Sequence, residues 1–166
     1  MLSTTILLFL SLGGATECSP TWRPPEVHGI RLGMTVKQVK SRLPFIKIPP
    51  ADKYDVRWST VWPNGPKQRK RLPRISGIEM WFWKDQLVRY NISYFGSDKP
   101  QSINHFVYAV IEKFGLSENM RLSHRYECGN FSVSVGETLK RTVSLRDLRG
   151  EKILNRRVDE SYGLKY

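Results

Sequence analysis

The chain's three histidines, His28, His105 and His124, lie far apart, with no His-x-x-x-His pair that would set two imidazoles on one helix face. Its two cysteines, Cys18 and Cys128, form no Cys-x-x-Cys pattern. Asp52, Asp55, Asp85 and Asp98 fall in turn-like stretches, where a carboxylate ordinarily bonds local backbone. Hydrolytic or redox catalysis needs a nucleophile beside a base, paired carboxylates or ligands at metal spacing, and the sequence groups none of these. No catalytic residue, metal ligand or cofactor is therefore assigned. What remains is the chemistry of binding. Lys67, Arg69, Lys70, Arg71 and Arg74 put five basic residues into a stretch of eight, which suits an anionic partner. Trp81, Trp83 and Arg89 combine the indole and guanidinium groups that dominate protein interfaces.

The elements that must position these groups follow from periodicity. Ile75 to Trp83 and Leu87 to Phe95 alternate as two strands of a hairpin turning through Lys84-Asp85-Gln86. Period two places Ile78, Met80 and Phe82 on one face and Glu79, Trp81 and Trp83 on the other. On the second strand Val88, Tyr90, Ile92 and Tyr94 read as the core face, leaving Leu87, Arg89, Asn91, Ser93 and Phe95 opposite. Val56, Trp58, Thr60 and Trp62 alternate as an earlier strand, with Trp58 and Trp62 read as core. The basic run after Pro63-Asn64-Gly65-Pro66 reads as an exposed hairpin loop. Leu122, His124 and Tyr126, then Phe131, Val133 and Val135, then Val143 and Leu145 give three further strands, the first two turning at Cys128-Gly129-Asn130.

Two helices are expected. Thr35 is a good N-cap, Gln38 completes a capping box, and Met34 and Val39 occupy the positions of a hydrophobic staple. Val36, Val39 and Leu43 form the buried stripe, and Pro44 ends the helix. Ile103, Val107, Val110 and Phe114 mark a longer helix closed by Gly115 and Leu116. The expected fold is α+β: two helices packed on antiparallel β-sheet, with helix-then-three-strands occurring twice in tandem, although the second copy lacks the Gly-Met-Thr motif.

Gly29-Ile-Arg-Leu-Gly33-Met34-Thr35, followed by an apolar-periodic helix ending Leu43-Pro44, resembles the opening module of the small outer-membrane-assembly lipoproteins (SmpA/OmlA type) and of β-lactamase-inhibitor-protein-like domains. The likeness extends loosely to the strand pairs ending near Phe95. It implies a helical segment ahead of an antiparallel sheet, and a module that binds other proteins of the cell envelope.

Residues Met1 to Ala15 carry no charge and place Ile6 to Leu12 before Gly13-Gly14-Ala15, the pattern of a secretory signal peptide. The apolar run is too short to span a bilayer. Glu17 immediately before Cys18 argues against lipid anchoring, so a secreted or periplasmic product is expected. In an exported chain Cys18 and Cys128 could form one disulfide; closing a loop of about 100 residues would stabilise by about 4–5 kcal/mol in the chain-entropy model. Residues 16–27, with Pro20, Pro24 and Pro25, read as an extended leader, 28–154 as a single α+β domain, and 155–166 as a basic flexible tail that begins to fray near Arg149.

The formal charge of +12, from 27 Lys and Arg against 15 Asp and Glu, favours an acidic partner. The reading from sequence is a non-catalytic exported protein-binding module that uses the aromatic sheet face and the basic loop. The alternatives are a binder of anionic envelope polymer or nucleic acid through the basic surface, and an enzyme whose site assembles from residues distant in sequence.

Overall fold

A computed structural model of the chain describes residues 23–95, 102–137 and 140–161. β1 (Val56–Val61), β2 (Ile75–Trp83), β3 (Gln86–Tyr94), β4 (Arg125–Cys128), β5 (Phe131–Glu137) and β6 (Arg141–Asp147) form one antiparallel sheet in the order β1-β2-β3-β6-β5-β4. Each half of the chain supplies three strands paired in succession, and the halves join where β3 meets β6, from Arg89 opposite Arg146 to Tyr94 opposite Arg141. The fold is mixed α+β. The inner face of the sheet carries the main core, in which Ile78, Met80, Phe82, Tyr90, Ile92, Val133, Val143 and Leu145 are almost wholly buried. Val36 and Val39 of α1 (Val36–Arg42) and Val107, Val110 and Ile111 of α3 (Ile103–Phe114) belong to the same core, with Phe114 only part-buried.

The Gly-Met-Thr motif seats α1. Thr35 Oγ1 accepts from the Gln38 amide at 3.2 Å and Gln38 Oε1 accepts from the Thr35 amide at 2.8 Å, completing the capping box. Gly33 adopts a φ of 82°, a region that favours glycine, and its amide donates to the Leu87 carbonyl at 2.8 Å. Leu87 in turn donates to the Met34 carbonyl at 2.8 Å, and Val36 to that of Asp85 at 3.1 Å. The motif thus pins the helix entry to the β2–β3 turn. Val27, on the leader side of the expected boundary, is already buried and bridged to Ile30.

Four expectations are corrected. The basic run is no loop: Pro66–Arg71 form α2, with Pro66 at the first helical position and Gln68 Oε1 accepting from the Asn64 and Gly65 amides at 3.0 and 3.3 Å. Leu122 and His124 are not in a strand, because Met120–Ser123 form a single turn, α4, that buries Met120 and leaves Leu122 94% exposed; only Tyr126 of that alternation lies in β4. In β3 a bulge sets Phe82 opposite Leu87 and Trp81 opposite Arg89, so Leu87 faces the inner core while Val88 turns to the outer face. The chain beyond Arg149 does not fray where expected: α5 (Leu148–Ser161) follows β6 directly and docks on the outer face.

α5 escapes an apolar count because its contact stripe mixes residue types. Leu154 joins Val56 and Val88 in a small second core, on which Trp81 and Trp83 pack. Four residues earlier, Gly150 lies against β3 so closely that a Cβ there would fall 2.5 Å from the Val88 Cβ. Glu151 reaches Arg146 at 2.9 Å and Arg89 at 3.7 Å, while Arg157 pairs with Asp52 and Tyr54 hydrogen-bonds Glu160. The partly exposed ion pairs add little, and one buried leucine is worth about 1.5–3 kcal/mol, so close seating at Gly150 decides the fit. Gly→Ala in a free helix stabilises by about 1 kcal/mol, but Gly150→Ala should instead destabilise this protein by about 1–3 kcal/mol through overpacking against Val88. Urea denaturation checks this, and the Gly150→Ala cost should shrink in a Val88→Gly background, which removes the atom in closest contact.

Candidate partner-binding face

Strand register lines up side chains across the outer face of the sheet. Trp58, Trp81, Arg89 and Arg146 are successive partners on β1, β2, β3 and β6. The Trp58 and Trp81 rings stack with centroids 6.4 Å apart at 30°, and the Arg89 guanidinium lies 4.7 Å from the Trp81 centroid. Burial and the neighbouring Arg146 push the Arg89 guanidinium below its ordinary range, while Glu151 and Glu79 act in the opposite sense. The α5 carboxylate therefore sits where two crowded cations need one.

One register step away, Thr60, Glu79, Asn91 and Ser144 form a polar row, with Asn91 Nδ2 donating to Glu79 Oε2 at 3.1 Å. A third row holds Gly77, Ser93 and Thr142, the two hydroxyls 3.4 Å apart. Trp62 fills the space that Gly77 leaves, since a Cβ at Gly77 would meet the indole Cζ3 at 2.5 Å, and the Lys140 ammonium stands 5.3 Å from the Trp62 centroid. The outer face is thus divided. The end bearing Trp83, Val88 and Val56 packs with α5, whereas Trp58 and Trp62 remain 51% and 50% exposed.

The structure brings Trp81 and Arg89 into contact and places Trp83 with them against the α5 cluster, beneath the Lys84 ammonium at 4.9 Å. The core reading of Trp58 and Trp62 is corrected. The buried side of β1 is Ser59 and Val61, and the Ser59 hydroxyl is satisfied by the Lys47 carbonyl at 2.6 Å. Hydropathy ranks tryptophan above serine for burial, and the sequence carries no signal of that acceptor. Lys67, Arg69, Lys70, Arg71 and Arg74 are exposed, as expected of them, but no hydrogen bond, ion pair or ring contact among the described residues joins them to Trp81, Trp83 or Arg89. They belong to a different surface. Gly33, Met34, Thr35 and Gln38 serve helix seating. Cys128 is disulfide-bonded, and Cys18 lies outside the described residues, as does the segment read as a signal peptide.

Among the described residues no group of three or more His, Cys, Asp or Glu is placed to hold a metal ion, and no helix is long and apolar enough to cross a membrane. Comparison with known protein families, with curated proteins and with solved structures finds no match.

Because Trp62 rests on the bare backbone of Gly77, Gly77→Ala should tilt the indole away and destabilise the fold by about 1–3 kcal/mol. The cost should shrink in the Trp62→Ala background, and the non-additivity from a double-mutant cycle is the test.

Proposed function

We propose that this chain is a non-catalytic, exported protein-binding module whose contact surface is the open part of the outer sheet face. One observation carries the reading: a paired, hydrogen-bonded sheet presents two half-exposed tryptophans beside a polar row, while α5 covers only one end of that face. Stacking on Trp81 and seating on Gly77 hold Trp58 and Trp62 in fixed positions, so a partner would lose little side-chain entropy in using them. Asn91, Ser93, Thr142 and Ser144 offer hydrogen bonds around these anchors, the arrangement of an apolar centre with a polar rim. The likeness of Gly29 to Pro44 to the outer-membrane-assembly lipoproteins and β-lactamase-inhibitor-like domains supports a binding role, and the charge-free segment Met1 to Ala15 supports a secreted or periplasmic location. The binder of an anionic envelope polymer or nucleic acid is the second reading, favoured by the basic surface around α2.

Affinity capture from an envelope extract separates these readings. Trp58→Ala and Trp62→Ala should each weaken recovery of the protein partner by about 2 kcal/mol, about thirtyfold in affinity, with circular dichroism unchanged. Unaltered recovery by both folded variants, or co-purification of nucleic acid in place of protein, would overturn the proposal.

A further inference from the structure

We infer that the α1–α2 side of the molecule is a second binding surface, which receives an acidic peptide segment carrying a large apolar side chain. This goes beyond the sheet-face reading, because α1 packs on the inner core, the layer opposite the tryptophans. Residues 27–51 and 56–78 contain no aspartate or glutamate. Lys37, Lys40 and Arg42 on α1 and Lys67, Lys70 and Arg71 on α2 are all exposed, and none is in an ion pair among the described residues. Outside these two helices Arg57, Arg125, Arg146 and Arg156 are each matched to a carboxylate. The Arg71 Nη1 donates to the Arg42 carbonyl at 3.2 Å, which ties α2 to the end of α1 and merges the two cationic sets into one field.

Between α2 and the Pro44-Phe45 segment that follows α1 lies an open cavity of about 700 Å³, walled by Pro44, Phe45 and Pro66 and rimmed by Lys67 and Arg71. Cations alone would accept any polyanion; an apolar recess bordered by two of them, Lys67 and Arg71, selects a ligand with an apolar group flanked by negative charge. A bilayer fits less well. Membrane-surface binding relies on protruding apolar side chains, whereas the exposed large ones among the described residues, Trp58, Trp62, Phe95, Tyr108 and Leu122, lie outside both helices. A purely charged polymer would leave the recess unfilled. An acidic peptide with a leucine or phenylalanine anchor uses both features.

The test is fluorescence anisotropy of the full chain at about 150 mM salt. One probe is a labelled glutamate-rich peptide bearing a central Leu-Phe, the second replaces Leu-Phe by Ser-Ser, and the third is vesicles of phosphatidylglycerol and phosphatidylcholine. The Leu-Phe peptide should bind about tenfold or more tightly than the Ser-Ser peptide. The triple variant Lys67→Gln, Lys70→Gln, Arg71→Gln should weaken it by a similar factor and flatten its salt dependence, while Trp58→Ala leaves it unchanged. Equal affinity for the two peptides, binding to vesicles without binding to either peptide, or loss on Trp58→Ala would each overturn the inference. Failure of the sheet-face reading, seen in the capture experiment, would leave these results untouched.

Discussion

Leu87 and Val88 are neighbours in sequence that point to opposite faces of the sheet, and most of the molecule depends on that reversal. A regular strand would give one of the two to solvent or to the wrong layer. The bulge opposite Phe82 lets both be buried: Leu87 enters the main core while its amide and carbonyl hold the Gly33-Met34 turn that starts α1, and Val88 offers the outer face a surface on which Gly150 can rest. One extra residue in β3 thereby fixes a helix on each side of the sheet. Local twist and re-aimed side chains are the usual consequences of a bulge, and here they set where the sheet is closed and where it is open.

The open region follows from how little of the outer face one helix can cover. α5 departs from β6 at Leu148, crosses β3 through Gly150 and reaches the β1 side through Leu154, Arg157 and Glu160, near Val56, Asp52 and Tyr54. Its path serves the end of the sheet at Trp83. The rows toward Thr60 and Gly77 receive no helix among the described residues, and there the chain has placed hydroxyls, an amide–carboxylate pair and two tryptophans supported from beneath. A face with mostly polar rows is stable in water without a cover, which is why the fold does not need one there.

The first helix, its capping box, the long helix from Ile103 to Phe114 with its left-handed Gly115, and the β2–β3 hairpin were legible because each announces itself within a short window. Local periodicity also assigned the inner residues Met80, Phe82, Tyr90 and Ile92 correctly. It failed where burial depends on distant groups. The Leu87–Val88 reversal answers to the Gly33-Met34 turn that starts α1, 54 residues from Leu87 along the chain. The docking of α5 rests on a glycine, a leucine and charged residues, a stripe with no hydropathic signature. Trp58 and Trp62 lie outward because Ser59 and Val61 point inward, and that choice is made by the Lys47 carbonyl and the main core. The candidate face was therefore half visible: Trp81 and Arg89 from alternation, but not the two tryptophans that reach solvent.

The division of the outer face into closed and open parts is tested most directly by tryptophan-selective oxidation of the folded full chain, read by peptide mass spectrometry. Trp58 and Trp62 should be modified several-fold faster than Trp81 and Trp83, and unfolding in denaturant should abolish the difference. Equal rates in the folded protein, or faster modification of Trp83, would mean that α5 does not cover its end of the sheet and would contradict the account.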